Sequence, residues 1–203
     1  MTRAARHAAL VLAGTLACHP AHPEAQPAVN PCRPATGTLP RTATAIGLAG
    51  DYRLHLAATA GASAGRWVDV ALRLRPVDDS VSREVVVLGV RDTTSSFPLS
   101  GTTDLDPGAL GAIRTGNLSA EDPEAPGVLV IERRPARPDA AREIMLRLGA
   151  DANRRGVVRY DGGYFALTVR SITGEGFAGS WSSGGAGSGA EGYFCAERLA
   201  SKE

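Results

Sequence analysis

The octapeptide VDVALRLR, residues 68–75, places a large aliphatic residue at every second position. Successive side chains of a β-strand point to opposite faces of the sheet, so this period of two indicates a strand. Faces of a helix repeat every 3.6 residues and do not produce strict alternation. The octapeptide therefore predicts an antiparallel strand with one face in a core and the other in water.

Further segments with strand character lie on both sides of this octapeptide. They are residues 52–56, 83–91, 96–102, 127–133, 142–148, 165–170, 176–182 and 191–198. Hairpin turn signals at 161–163 (DGG) and 173–176 (TGEG) separate some of them. No helix-length periodic stretch lies between them. The spacing predicts an all-β fold in one domain, an antiparallel up-and-down β-barrel of about 8–10 strands, with a β-sandwich as the alternative.

One excursion interrupts the strands at residues 104–116. Asp106 is a candidate N-cap and Pro107 occupies the first helical position, which predicts a helical turn or two through Ile113. The polar sequence of residues 117–126 (NLSAEDPEAP) predicts a loop. We interpret the excursion as a connection; gating of a barrel rim is the alternative.

The N-terminus has the features of an export signal. Residues 1–7 carry Arg3 and Arg6, and residues 8–17 (AALVLAGTLA) are apolar but too short to span a bilayer as a helix. Residues 19–31 are rich in proline and predict an extended tether. The domain prediction is a signal peptide at 1–17, a lipidated cysteine with its tether at 18–31, and a β-barrel domain at 32–203.

The residues around Cys18 resemble the lipobox of bacterial lipoproteins. Thr15-Leu16-Ala17 precedes the cysteine, although that family prefers Leu three residues before it, where this chain has Thr15. The resemblance implies that Cys18 carries lipid and becomes the mature N-terminus. The protein would then lie in the cell envelope, anchored to a membrane and facing the periplasm. The alternative is an ordinary signal peptide and a soluble periplasmic or secreted protein.

The three cysteines are Cys18, Cys32 and Cys195. If Cys18 is lipidated, an even pair is left, and export places that pair in an oxidising compartment where disulfides persist. We therefore predict a Cys32–Cys195 disulfide that closes a loop of about 160 residues, for which chain entropy gives roughly 4–5 kcal/mol at most. A catalytic cysteine is the rival interpretation, and it requires a nearby base.

Few residues of the body carry recognisable chemistry. His55 is the only histidine outside the N-terminal segment, and it alternates with Tyr52, Leu54 and Leu56, so we expect it to face solvent. One histidine and a bridged cysteine pair are too few for a zinc site, and no Gly-x-Ser-x-Gly motif is present. A formal net charge of +1 provides no basic face for nucleic acid. We predict no catalytic residues, metal, cofactor or nucleic-acid partner.

Two carboxylates keep a hydrolase as a third hypothesis. Glu132 and Glu143 lie on candidate neighbouring strands, and paired carboxylates facing across a cleft can cleave glycosides. Each also has an arginine nearby, Arg133 and Arg142. A cross-strand ion pair on the outer face is therefore the simpler interpretation.

Two short motifs resemble those of lipocalin-like and other calycin barrels. Gly50-Asp51-Tyr52 opens the first strand where that superfamily has Gly-x-Trp, and residues 179–181 (GSW) carry a Gly-x-Trp near the wrong end of the chain. The resemblance implies an interior pocket for a small apolar ligand.

The body thus leaves two leading hypotheses for function. The first is a lipoprotein whose barrel binds a small hydrophobic ligand; the second is a structural or adaptor lipoprotein that binds another envelope protein through its surface or the 104–126 excursion. Aromatic residues at inward positions could line a pocket or fill the core, and core filling is the favoured interpretation. The candidate ligand-binding residues are Leu56, Val70, Phe165, Phe177 and Trp181.

Overall fold

The computed structural model describes residues 32–77, 83–87, 90–92, 95–112, 127–133, 142–149, 156–159, 164–185 and 188–200. Their regular structure consists of strands and two short 3₁₀ turns, which confirms the all-β prediction. The strands are β1 (Gly50–Ala60), β2 (Trp67–Pro76), β3 (Arg83–Val87), β4 (Val90–Asp92), β5 (Ser95–Thr103), β6 (Gly127–Arg133), β7 (Glu143–Gly149), β8 (Gly156–Arg159), β9 (Tyr164–Thr173), β10 (Gly176–Gly185) and β11 (Ser188–Arg198).

Eight of these strands form a closed antiparallel barrel. Around the barrel the order is β1-β2-β5-β6-β7-β9-β10-β11, and β11 pairs with β1 to complete it. Because neighbours in the barrel follow one another along the chain, the topology is up-and-down. The barrel prediction is confirmed over the sandwich, and closure leaves no long free strand edge in this sheet.

Three short strands form a second sheet, with the order β4-β3-β8. The predicted single strand at residues 83–91 is wrong, because β3 and β4 are two antiparallel strands within it. Strand β8, which the sequence did not predict, pairs parallel to β3. These strands come from insertions into the barrel order, between β2 and β5 and between β7 and β9. Parallel pairing between such distant segments has no local sequence signal.

The barrel interior is filled with apolar side chains from alternate positions of its strands. Phe177 lies with its ring centroid 5.1 Å from that of Tyr52 and 6.0 Å from that of Phe194, both in edge-to-face arrangements. Phe165 and Trp181 stack at 5.3 Å. Offset and edge-to-face contacts of this kind add to the free energy gained by burying the rings.

Glycine on β11 makes room for the largest of these side chains. The indole Nε1 of Trp181 donates a hydrogen bond of 3.0 Å to the carbonyl oxygen of Ala57. A Cβ atom on Gly192 would lie 1.8 Å from that oxygen and 2.6 Å from the same Nε1. Only glycine lets β1, β11 and the indole approach this closely.

The predicted disulfide is present. Cys32 is bonded to Cys195 over a separation of 163 positions, with Cα atoms 5.6 Å apart. Cys195 lies on β11 directly opposite His55 of β1. The bond therefore fastens the start of the described chain to the two strands that close the barrel.

The excursion after β5 begins as its sequence indicates. A 3₁₀ turn spans Pro107–Leu110, the Asp106 side chain accepts a hydrogen bond of 3.1 Å from the amide of Gly108, and Gly111 ends the turn with φ near +65°. The turn stops before Ile113, which lies outside the described residues, as does the 117–126 loop.

Replacing Gly192 with alanine should destabilise the barrel by about 1–3 kcal/mol, the range for overpacking a core. The new methyl group would collide with the Ala57 carbonyl and the Trp181 indole. Urea unfolding followed by tryptophan fluorescence measures the change. Gly189→Ala is the matched control on β11, since its nearest atom would be 3.6 Å away. A Gly192→Ala protein as stable as this control would contradict the packing argument.

Candidate functional site

The predicted ligand-binding residues all lie on inward-facing positions of the barrel strands. Leu56, Phe165, Phe177 and Trp181 are at most 3% exposed, and Val70 is half-buried at the edge of the core. Their side chains pack against each other and against the rest of the interior. This packing favours core filling over the lining of a pocket.

A short segment closes the end of the barrel at which β1 begins. We call residues Ala45–Leu48, a 3₁₀ turn just before β1, the end plug. Ala45 and Leu48 are fully buried and belong to the interior cluster. The amide of Ala45 donates a 2.8 Å hydrogen bond to Oε2 of Glu132, and the Tyr52 hydroxyl donates a 3.0 Å bond to the carbonyl oxygen of Leu48.

Arg198, at the end of β11, holds the same plug from the other side. Its guanidinium donates to the carbonyl oxygens of Ala49 at 2.8 Å and Gly47 at 3.2 Å, and its Cζ lies 4.9 Å from the centroid of the Tyr52 ring. Burial raises the pKa of the Tyr52 hydroxyl, and the charge of Arg198 opposes this rise. The hydroxyl therefore stays protonated near neutral pH and serves as the donor to Leu48.

The two carboxylates of the hydrolase hypothesis serve separate ion pairs. Glu132 lies on the inner face of β6 opposite the buried Ile144, and it binds Arg142 as well as the plug. Glu143 pairs with Arg133 on the neighbouring strand at 2.9 Å, in an exposed position. Since Ile144 follows Glu143 on β7, the two carboxylates belong to opposite faces of the sheet. The expected outer-face ion pair is present for Glu143. For Glu132 the expected face is wrong, because its carboxylate lies inward, where it also binds the plug.

The excursion after β5 covers the opposite end of the barrel. Leu105, Leu110 and Ala112 join the interior cluster. Oδ1 of Asp104 accepts a 2.7 Å hydrogen bond from the amide of Ala71, which extends the ladder beyond the last β2–β5 pair. The described part of the excursion is thus packed into the barrel.

His55 is the main departure from the sequence prediction. We expected it to face solvent, but it is only 4% exposed, although it does lie on the outer face. Sγ of Cys32 lies 3.6 Å from the His55 carbonyl oxygen, so the disulfide lies against β1 at this position. Alternation fixes which face a side chain occupies but not what packs over that face.

The two nitrogen atoms of the His55 imidazole have different surroundings. Nδ1 is hydrogen-bonded to Oδ1 of Asp69 on β2. Nε2 is buried, has no hydrogen-bond partner and lies 3.7 Å from Oε2 of Glu197 on β11. The ring therefore bridges the strands on either side of β1. We call Asp69, His55, Glu197 and Cys195 the outer-wall cluster.

The described surface also carries two shallow grooves. One, of about 320 Å³, crosses β1, β2 and β5 beside Leu199, with Asp51, Arg73 and Asp104 in its lining. Hydrogen bonds and charge from Arg75, aided by Arg73, lower the pKa of Asp51. The other, of about 140 Å³, lies beside Leu39. Within the described ranges no three His, Cys, Asp or Glu side chains are placed to hold a metal ion.

Residues 1–31, including Cys18, lie outside the described residues. Where the structure describes the chain, it contains no helix with the length and apolar character needed to cross a bilayer. No protein-family model, curated protein or solved structure matches the chain.

Sequence reasoning missed the roles of Asp69, Glu132 and Arg198. A local signal for the first exists, because β1 and β2 form a hairpin around residues 61–65 and the register pairs His55 with Asp69. Glu132 and Arg198 meet the plug only after the barrel has closed, so their roles have no signal of that kind.

Replacing Glu132 with alanine should lower the free energy of unfolding by about 1.5–3 kcal/mol, the range for hydrogen bonds to charged groups. The buried amide of Ala45 loses its acceptor and Arg142 loses its partner. Glu143→Ala is the matched control, and the loss of its exposed pair should cost less than about 1 kcal/mol. Chemical denaturation measures both, and equal costs would show that the plug does not depend on Glu132.

Proposed function

We propose that this protein is an exported lipoprotein, anchored through Cys18, whose filled barrel is a structural or adaptor module that binds another envelope protein through its surface. The observation that carries the structural or adaptor function is the packing of the barrel interior. Four of the five residues predicted to line a ligand pocket are at most 3% exposed and contact one another or other core side chains.

Closure of both barrel ends by the chain supports the adaptor function. The end plug is held by Glu132, Tyr52 and Arg198, and Leu110 of the excursion is fully buried at the other end. A ligand reaching the interior by either route would have to displace these buried groups. A solid barrel is instead a rigid support for surface contacts.

The proposal that the protein is exported rests on the N-terminal sequence and on the disulfide. Disulfides persist in oxidising compartments outside the cytosol, and the Cys32–Cys195 bond fits such a compartment. The described chain begins at Cys32. An extended tether of the proline-rich residues 19–31, at roughly 3 Å per residue, would hold the barrel some tens of ångströms from the membrane.

The exposed apolar side chains favour the plugged end as the contact surface. Among the described residues, the exposed large hydrophobic side chains are Ile46, Tyr164 and Leu199. Ile46 lies on the end plug, and Leu199 follows Arg198, whose guanidinium binds Gly47 of that plug. Two of the three are therefore at the same end of the molecule.

The anchor is tested by replacing Cys18 with serine in the full-length chain. We expect the unmodified protein to sediment with membranes and to carry the mass of a lipid modification, and the Cys18→Ser protein to lose both. Cell fractionation and intact-mass spectrometry provide the readouts. If the Cys18→Ser protein keeps both the membrane association and the added mass, lipidation at Cys18 is overturned. The adaptor function would stay open.

The adaptor function is tested by native mass spectrometry and by photo-crosslinking in the envelope. Apart from the lipid on Cys18, we expect the chain mass less two hydrogens and no further mass. We also expect crosslinks to one protein from a photoreactive residue at Ile46 or Leu199. The control is the same photoreactive residue in place of Tyr164, at the end of the barrel opposite the plug. Excess mass of a few hundred daltons that is lost on denaturation would favour the ligand-binding hypothesis instead.

A further inference from the structure

We propose that Cys195, His55 and Asp69 form a thiol-reactive site on the outer wall of the barrel, which the bond to Cys32 keeps closed. Its substrates are thiol reductants that exchange with the Cys32–Cys195 disulfide. This inference is independent of the adaptor function, since it concerns the chemistry of one wall and not a binding partner.

The barrel places the three residues side by side on three adjacent strands. His55 of β1 is directly opposite Asp69 of β2 and directly opposite Cys195 of β11. Directly opposed residues of antiparallel strands have Cβ atoms about 4.5–5.5 Å apart on the same face. A cysteine, a histidine and an aspartate in this order are the components of an activated thiol.

The orientation of the imidazole fits this role. Nδ1 is bonded to Asp69, which leaves Nε2 toward the β11 side of the ring, where it lies 3.7 Å from Glu197. Nε2 is buried and has no hydrogen-bond partner. A buried nitrogen without a hydrogen-bond partner is costly and calls for an explanation, which a carboxylate 3.7 Å away does not fully supply. The thiolate that forms on Cys195 when the disulfide opens would supply one.

Charged side chains lie near the imidazole ring on several elements. Asp69 faces it from β2, Glu197 faces it from β11, and Arg53 lies two residues earlier on β1, opposite Glu197. Arg33 follows Cys32 in the chain. A nearby imidazolium stabilises a cysteine thiolate and makes it both a better nucleophile at neutral pH and a better leaving group.

The exchange step balances with a dithiol as the reductant. One thiolate of the dithiol attacks Sγ of Cys32, and the electron pair of the S–S bond leaves on Sγ of Cys195 beside His55. The second thiol then attacks the mixed disulfide, releases Cys32 and leaves the reductant as a cyclic disulfide. The reductant loses two electrons and the protein gains them. One of the two thiol protons ends on Cys32 and the other on Nε2 of His55, beside the Cys195 thiolate.

The first test uses the full-length chain with Cys32→Ser, which leaves Cys195 as a free thiol, in a background where Cys18→Ser removes the remaining cysteine. We expect iodoacetamide to alkylate Cys195 at pH 7 about tenfold faster than in the Cys32→Ser/His55→Gln protein, because the thiolate fraction falls without the imidazole. The pH midpoint of the alkylation rate should move upward in the same comparison. Asp69→Asn should also slow alkylation of Cys195. Glu191→Gln, at another position of β11, is the matched control and should leave the rate unchanged.

The same rates measured in urea show whether the effect requires the folded site. In the unfolded proteins, all variants should be alkylated at the same rate. Equal rates and equal pH midpoints in the folded proteins, with and without His55, would overturn the proposal.

The second test does not depend on removing the disulfide. Reduction of the native chain by dithiothreitol at pH 7 should be about tenfold faster than reduction of the His55→Gln protein, since departure of Cys195 loses its stabilising imidazolium. The Glu191→Gln protein should match the native rate. Identical rates for the native and His55→Gln proteins would overturn the proposal even if the Cys32→Ser chain does not fold.

Discussion

The pairing of β1 with β11 is the constraint on which the rest of the structure depends. It joins the first and last strands of the barrel, and the Cys32–Cys195 bond lies directly on it. Without this pairing the sheet would have two exposed edges, which natural proteins avoid or protect. The disulfide restricts the unfolded chain over 163 positions, so closure is supported by both hydrogen bonds and covalent linkage.

Closure also determines how the interior is filled. An eight-stranded barrel encloses a space that side chains alone can occupy, and here aromatic rings from β1, β9, β10 and β11 do so. Gly192 permits this because it lets Trp181 reach the carbonyl of Ala57. The end plug and the excursion then cover the two ends with Leu48 and Leu110. The packed interior and its two covered ends follow from one set of contacts.

The same closure creates the outer-wall cluster. Asp69 approaches His55 through a local hairpin, but Cys195 and Glu197 reach it only because β11 returns to β1. The imidazole is buried on a face that alternation alone would leave in water, and Cys32 lies against the His55 carbonyl on the same wall. A structural bond and a chemically distinctive group therefore occupy the same place on the wall.

The sequence by itself determined the all-β class, the barrel, most of its strands, the disulfide pair and the turn at Pro107, because each depends on local periodicity, turn chemistry or residue counting. Only the tertiary structure decided that residues 83–91 form two strands of a separate sheet, that Glu132 anchors the end plug and that His55 is buried. These features depend on contacts between distant segments. Period-two alternation specifies the face of a side chain, but only the closed barrel specifies its neighbours.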